Sequence, residues 1–194
     1  NVKNGIKKVN GKIEFKNILF KYTDSNVQAL NGISFLIKPK SSLGIIGVTG
    51  SGKTTALKLI TRSYNTSSGE ILLDDHFLNK IDLIHLRENI GVVPQDSFLF
   101  SDTIINNIRF GNEKASKKEI EKVCEIAGIH KEILKFKDQY NTMLGERGVN
   151  LSGGQKQRVC IARALIKKPK ILIMDDCLSA LDTQTEEKII KSLN

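Results

Sequence analysis

One stretch decides the fold that this sequence predicts: Gly47-Val48-Thr49-Gly50-Ser51-Gly52-Lys53-Thr54. Its pattern, G-x-x-x-x-G-K-[ST], is typical of a loop that binds phosphate. Residues 42–46 before it are short and apolar and predict a buried strand, while residues 55–60 after it have the apolar spacing of a helix. A strand, a loop and a helix in this order form the context that the pattern requires. The alternative is a glycine-rich turn that happens to precede a helix.

This loop has the chemistry of a nucleotide site. Its three glycines let the backbone bend so that successive N–H groups point at one anion, and the dipole of the following helix adds to the attraction. Lys53 is expected to reach the β- and γ-phosphates, and the Thr54 hydroxyl is expected to hold Mg²⁺. The predicted nucleotide-binding residues here are Gly47, Gly50, Ser51, Gly52, Lys53, Thr54 and Thr55.

The composition limits the possible partners. Lys and Arg number 30 against 21 Asp and Glu, so the 194-residue chain carries a net charge of +9, which suits phosphate ligands, anionic lipid or nucleic acid. Three Tyr, eight Phe and no Trp offer little for base stacking, and the basic residues are spread out, which argues against nucleic acid. Three cysteines without a C-x-x-C pair indicate a reduced cytosolic domain. No apolar run approaches the roughly 18 residues of a membrane span.

The order of patterns along the chain predicts an α/β fold. Residues 1–12 have little pattern and are expected to be a linker tail, and the remaining residues, 13–194, form the predicted domain. Strands at 13–15, 18–20, 32–37 and 67–75 predict a small antiparallel sheet, in which the first two are edge strands. Residues 90–93 predict a buried strand. The region 96–165 is predicted to be helical, with helices at 117–127 and 153–166, and residues 183–193 predict an amphipathic helix.

A pair of carboxylates follows the uninterrupted apolar run 171–174, which predicts a parallel strand buried on both faces. Asp175 and Asp176 would lie at the carboxyl end of that strand, where α/β sheets bind ligands. Beside a phosphate-binding loop, Asp175 is placed to hold Mg²⁺ through water. The alternative is an Asp pair that opens a solvated loop.

A second anion-binding pattern, Leu151-Ser152-Gly153-Gly154-Gln155, begins the predicted helix at 153. Taken alone, it could be an ordinary helix start capped by Ser152. Together with the phosphate loop, it closely resembles the ATP-binding cassette (ABC) family, whose signature is LSGGQ. The resemblance covers nearly the whole chain. It implies a P-loop NTPase (RecA-like) core with a parallel sheet, an antiparallel β subdomain and an α-helical subdomain that carries the signature.

The resemblance also implies roles for single residues. Tyr22 matches the aromatic residue that stacks on adenine, although it could be an ordinary edge-strand Tyr. Gln95 matches a glutamine that contacts Mg²⁺ and the attacking water. The five residues from Leu151 to Gln155 would complete the ATP site of a partner domain. Ser179-Ala180-Leu181-Asp182 matches a loop that crosses to the partner subunit, and Asp182 could also cap a helix.

Two further stretches resemble the exporter branch of the family. Residues 94–104 resemble the exporter Q-loop region, and Gly145-Glu146-Arg147-Gly148 resembles the exporter cross-loop that contacts the coupling helices of the membrane domain. In such proteins the transmembrane part often precedes the nucleotide-binding domain in the same polypeptide. The chain starts with Asn1 and is therefore expected to be a piece of a longer protein, fused to transmembrane domains upstream. The domain would then lie at the cytoplasmic face of the cell membrane.

Two features depart from the family pattern. Exporters that hydrolyse ATP well carry Glu at the second carboxylate after the buried strand, where this chain has the shorter Asp176. The switch histidine of the family lies beyond the region of Asp182, whereas His76, His85 and His130 all precede the signature. The chain is therefore expected to be truncated at its C-terminus.

These patterns together predict an ATPase that drives a membrane exporter. Its cofactors would be ATP and Mg²⁺, its catalytic residues Asp176 and Gln95, and its metal-binding residues Thr54, Gln95 and Asp175. Two nucleotide-binding domains would dimerise head to tail. One alternative is a weakly hydrolysing half of a heterodimeric exporter, with Asp176 as its mark. A second alternative is a soluble ABC protein that acts on nucleic acid or ribosomes, which the exporter-like stretches argue against.

Overall fold

The computed structural model describes residues 6, 8–24, 27–178 and 181–193. Strands and α-helices of the described residues follow one another as β1 (Ile13–Lys21), β2 (Gln28–Ile37), α1 (Lys53–Ile60), β3 (Ser68–Leu73), β4 (His76–Phe77), α2 (Leu83–Glu88), β5 (Ile90–Val93), α3 (Ile104–Arg109), α4 (Lys117–Ile126), α5 (His130–Ile133), α6 (Gly153–Leu165), β6 (Ile171–Met174) and α7 (Thr183–Leu193). The chain divides into two compact units, Asn1–Ile90 and Gly91–Asn194, and each is described by itself.

The first unit contains an antiparallel sheet with the strand order β2-β1-β3-β4. The predicted strands at 13–15 and 18–20 form one strand, β1, with an irregularity between Phe15 and Ile18 in its pairing with β2. The prediction that they lie at an edge is wrong, because β1 pairs with β2 on one side and β3 on the other. Alternation of buried and exposed residues reports a covered face, but it does not report how many neighbours a strand has.

The segment just before the phosphate loop differs from its prediction. Residues 42–46 are irregular rather than a strand, and their side chains are exposed: Ile46 is 98% exposed and Leu43 is 46% exposed. A strand forms only where a neighbour accepts its backbone hydrogen bonds. The four strands of the first unit pair with one another and not with this segment. An apolar run indicates the capacity to be buried, but it does not supply the partner.

The start of the chain contributes to the first unit as far as it is described; residues 1–5 and 7 of the predicted linker tail lie outside the described residues. Val9 is buried, and the backbone N–H groups of Asn10 and Lys12 donate to the carboxylate of Asp74 at 2.6 and 2.9 Å. Asp74 directly follows β3, so its carboxylate connects the residues before β1 to the end of the neighbouring strand β3. The division into a tail and one domain stays a prediction.

The second unit combines a parallel pair of strands, β5 and β6, with helices α3 to α7. One hydrophobic core joins these helices; its fully buried members include Leu99, Ile104, Ile120, Val159 and Ile161. In β6 only Ile173 is buried, and its other three residues are half-buried. The prediction that this strand is buried on both faces is therefore wrong. β6 belongs to a two-stranded sheet, and a short apolar run in the sequence does not determine how many layers cover a strand.

The predicted helices are confirmed at Lys117–Ile126, Gly153–Leu165 and Thr183–Leu193. Ser116 and Glu119 form a reciprocal capping box at the start of α4, which explains why the helix begins there. The three cysteines are free and buried, and burial raises the pKa of the Cys124 thiol to about 12. The fold class is confirmed: the parallel and antiparallel sheets and the helical region are all present.

Candidate functional site

The predicted phosphate loop lies directly before α1 in the first unit. Lys53 is the first residue of this helix, and its Nζ donates to the carbonyl oxygens of Gly47 at 2.6 Å and Val48 at 2.9 Å. The ammonium group is therefore folded over the loop. The first turn of α1 contains no acidic residue, so its N-terminal N–H groups remain suited to an anion.

Gly52 gives the loop its close approach to the sheet. It caps α1 with a φ of 91°, in the left-handed region that favours glycine. A Cβ at this position would collide with the carbonyl oxygen of Ala29 on β2. Residues 48–51 form a further turn that includes Gly50, in which the Ser51 N–H donates to the Val48 carbonyl oxygen at 3.1 Å. Any larger residue at Gly52 would displace the loop from the sheet.

Tyr22 lies beside the same helix. Its hydroxyl shares a hydrogen bond of 3.0 Å with the hydroxyl of Thr55, which is a buried residue of α1. The Tyr22 ring meets Phe20 and Tyr64 edge-on, at centroid distances of 4.9 and 5.4 Å. Two neighbouring rings and one hydrogen bond thus fix the orientation of Tyr22 relative to the phosphate loop. The structure brings Tyr22 and Thr55 together, which the sequence pattern does not show.

In the second unit, Asp175 and Asp176 follow β6, and Gln95 lies two residues after β5. The Asp175 N–H donates to the Val93 carbonyl oxygen at 3.0 Å, so the pairing of the two strands continues to their carboxyl ends. Gln95 Nε2 lies 3.4 Å from Asp176 Oδ2, to which it donates. Asp176 has a φ of 46°, a left-handed conformation that Asp tolerates better than most residues. Parallel strands bring their carboxyl ends to one edge, and this places Gln95 beside Asp176.

The signature begins α6. Ser152 caps the helix: its Oγ accepts from the Gln155 N–H, and the Gln155 side-chain oxygen accepts from the Ser152 N–H. The N-cap interpretation is therefore confirmed, and it is compatible with an anion site because Gly153 and Gly154 occupy the first turn. Leu151 is buried in the hydrophobic core and anchors the segment.

Two charged clusters around α6 are absent from the sequence-based prediction. Glu132 on α5 accepts from both Gln155 and Arg158. Arg163 donates to the carbonyl oxygen of Phe98 at 2.8 Å and to the side-chain oxygen of buried Asn107 at 2.8 Å. The partners are separated by 23 to 65 residues, so no local spacing could have revealed them. Both clusters connect the signature helix to its neighbours.

The other family-like stretches have simple local structures. Phe98 and Phe100 in the stretch 94–104 are partly exposed aromatic residues, and Glu146–Gly148 forms a 3-10 turn. Ser179 and Ala180 lie outside the described residues. The Asp182 carboxylate accepts from the Thr185 N–H and hydroxyl, which holds its pKa below the usual range and confirms it as a helix cap.

The donor groups fit Mg²⁺ that is held together with a nucleotide. Among the described residues, no cluster of three or more His, Cys, Asp or Glu side chains could form a metal site made of protein alone. Mg²⁺ usually binds through one or two carboxylates, waters and the phosphates of a substrate. In the first unit, the Thr54 hydroxyl at the start of α1 has the chemistry of such an oxygen ligand, and in the second unit the Asp175 carboxylate after β6 has it. Their assignment to Mg²⁺ stays a prediction.

Comparisons with known proteins agree with these features. The profile of a family described as ABC transporter matches residues 30–179. An uncharacterized ABC transporter ATP-binding protein, YfiB of Bacillus subtilis, is 49% identical over 187 residues, which cover 96% of this chain and 33% of YfiB. The human ATP-binding cassette sub-family B member 6 is 46% identical over 183 residues, which cover 94% of this chain and 22% of that protein. A solved bacterial Atm1-family ABC exporter with ATP bound has a TM-score of 0.93 at 41% identity, covering 98% of this chain and 34% of that one.

The chain therefore belongs to the ABC transporter family, and it is the nucleotide-binding ATPase domain of that family. It spans about a third of YfiB and of the Atm1-family exporter. Among the described residues, no helix combines the length and the apolar composition that a membrane crossing requires.

Proposed function

We propose that this chain binds MgATP at the loop that ends in Lys53, and that binding and hydrolysis of ATP drive an exporter. The contact of the Lys53 ammonium with the carbonyl oxygens of Gly47 and Val48 carries this proposal. The charge is already held at the centre of the loop, and phosphate oxygens make shorter and stronger bonds to an ammonium than neutral carbonyls do. Tyr22 would stack on the adenine, since its ring is fixed next to α1.

The hydrolytic step needs Mg²⁺, which would supply positive charge against the charge that develops on the phosphate oxygens. The family resemblance implies Thr54 and Asp175 as ligands of this ion. Gln95 and Asp176 would orient a water molecule whose oxygen attacks the γ-phosphorus. The bond from the γ-phosphorus to the bridging oxygen breaks, ADP leaves, and a proton of the water passes to Asp176. The hydrogen bond between Gln95 and Asp176 supports a shared task for these side chains.

The exporter part of the proposal rests on the relatives. This chain spans about a third of YfiB, and the Atm1-family structure is that of an exporter with ATP bound. We therefore expect transmembrane domains in the same polypeptide and a position at the cytoplasmic face of the cell membrane. A second nucleotide-binding domain would dimerise with this one head to tail, and Ser152, Gly153 and Gly154 would contact the γ-phosphate of the ATP held by that partner.

The loop assignment is tested by Lys53→Ala with Lys58→Ala as the matched control. Both lysines lie on α1 and both changes remove one positive charge, but Lys58 is exposed and lies in the last turn of the helix. Because hydrogen bonds to charged groups contribute roughly 1.5–3 kcal/mol, Lys53→Ala should weaken MgATP binding at least about 10-fold in calorimetry. Lys58→Ala should bind as the parent does. Equal MgATP affinity of Lys53→Ala and the parent would overturn the assignment.

A further inference from the structure

Glu132, a carboxylate outside the signature, binds two side chains near the start of the signature helix. Glu132 lies on the short helix α5; its Oε2 accepts from Gln155 Nε2 at 2.9 Å, and its Oε1 accepts from Arg158 Nη1 at 2.5 Å. Gln155 and Arg158 are three residues apart on α6 and therefore share one face of the helix. Glu132 thus joins two side chains of the first two turns of α6.

Each of these partners also holds the backbone of the signature. The side-chain oxygen of Gln155 accepts from the Ser152 N–H at 2.9 Å, so the amide of Gln155 is used at both ends. Arg158 Nε donates to the carbonyl oxygen of Gly154 at 3.1 Å, and its Nη1 also donates to the carbonyl oxygen of Gly128 at 2.8 Å. A change at Glu132 would therefore reach Ser152 through Gln155 and Gly154 through Arg158.

The electrostatic balance keeps the carboxylate ionised. Burial raises the pKa of Glu132, but the hydrogen bonds from Arg158 and Gln155, with the charges of Arg158 and Lys135, outweigh it and leave the pKa below its usual range. The Arg158 side chain is only 12% exposed, so it would be a poorly solvated cation without this carboxylate. The negative charge of Glu132 is thus neutralised next to a site that must accept phosphate.

We infer that Glu132 is a positioning residue for the signature: it orients Ser152 and the two glycines after it for the γ-phosphate of ATP bound to a partner domain. This inference rests on the proposed function. Glu132 does not contact the nucleotide, and it acts through Gln155 and Arg158. Its removal should therefore weaken ATP-driven closure of two domains while binding of MgATP to the loop at Lys53 is unchanged.

The test uses the full-length protein with Glu132→Ala, Glu132→Gln and the control Glu125→Ala. Glu125 is an exposed carboxylate on α4, so its removal changes the net charge equally. Closure is followed by the distance between spin labels at the exposed position Lys122→Cys in two copies of this domain; the three cysteines of this chain are buried. Glu132→Ala should raise the MgATP concentration for half-closure about 10-fold, as expected when the residue behind a ligand contact is lost. Glu132→Gln should have a smaller effect because it keeps an acceptor oxygen, and Glu125→Ala should have none.

A further variant separates the two levels of the argument. Ser152→Arg places a bulky cation in the signature and should block closure if the proposed function is right; closure at the parental MgATP concentration would overturn that function. If Ser152→Arg blocks closure but both Glu132 variants close as the parent does, the inference about Glu132 is wrong. An equal shift in Glu125→Ala would also overturn it, because the effect would then be one of net charge. If Glu132→Ala does not fold, Glu132→Gln decides.

Discussion

Asn107 offers the sharpest test of how the second unit is held together. This side chain is 1% exposed, and its oxygen accepts from the Phe100 N–H at 2.8 Å and from Arg163 Nη2 at 2.8 Å. Its amide nitrogen donates to the carbonyl oxygens of Phe100 at 3.0 Å, Asp102 at 3.3 Å and Thr103 at 3.0 Å. Asn107 therefore fixes the loop that leads into α3 and connects it to the signature helix.

Asn107→Ala removes all of these bonds at once. The Phe100 N–H and Arg163 Nη2 lose their acceptor, whereas the Phe100 carbonyl oxygen still accepts from the Asp102 N–H at 2.8 Å. Each of the two donors that loses its acceptor costs about 1–3 kcal/mol. We therefore expect the free energy of unfolding to fall by about 2–5 kcal/mol. The matched control is Asn106→Ala, the same change at the next residue of α3, where the exposed side chain makes one bond to Asp102. Both variants gain the same helix propensity, so this contribution cancels in the comparison.

The assay is urea unfolding followed by circular dichroism at the helix band, because most of the described helices belong to the second unit. Asn106→Ala should change the free energy of unfolding by no more than about 0.5 kcal/mol, as is usual for exposed positions. If the two variants are destabilised equally, the bonds of Asn107 contribute nothing special, and the reasoning from its burial is refuted.

Two further predictions concern the nucleotide site. Tyr22→Ala should weaken the binding free energy of MgATP by roughly 1–3 kcal/mol in calorimetry, because it removes the stacking ring. Tyr22→Phe loses only the hydrogen bond to Thr55 and should cost about 0.5–1.5 kcal/mol. Inorganic tripolyphosphate has no base and should bind the parent and both variants equally; an equal loss of affinity for this ligand would contradict stacking. Asp176→Glu should raise ATP turnover of the full-length transporter, because Asp176 is the proposed proton acceptor, its carboxylate is one methylene shorter than that of Glu, and a misplaced carboxylate can cost ~10²-fold in rate. Unchanged turnover would contradict this role and would indicate that a different partner domain supplies the catalytic carboxylate.

The sequence by itself determined the local structures that depend on short spacing. The loop from Gly47 to Thr54, the helix that follows it and the helix that begins after Ser152 were all predicted correctly. In each case the signal lies within a few residues: glycines permit the turn, a hydroxyl caps the helix, and apolar side chains recur at the helical period. The family resemblance implied roles for Tyr22 and Gln95 that no periodic pattern would suggest, and these roles stay predictions.

Only the tertiary structure decided which distant groups meet. It made β1 a central strand, paired the strands of the first unit with one another and not with residues 42–46, and placed Glu132 against Gln155 and Arg158. Strand neighbours and long-range ion pairs depend on how the whole chain packs, because each needs a partner tens of residues away. A sequence pattern records what a residue can bury or donate, whereas the fold determines which group it meets.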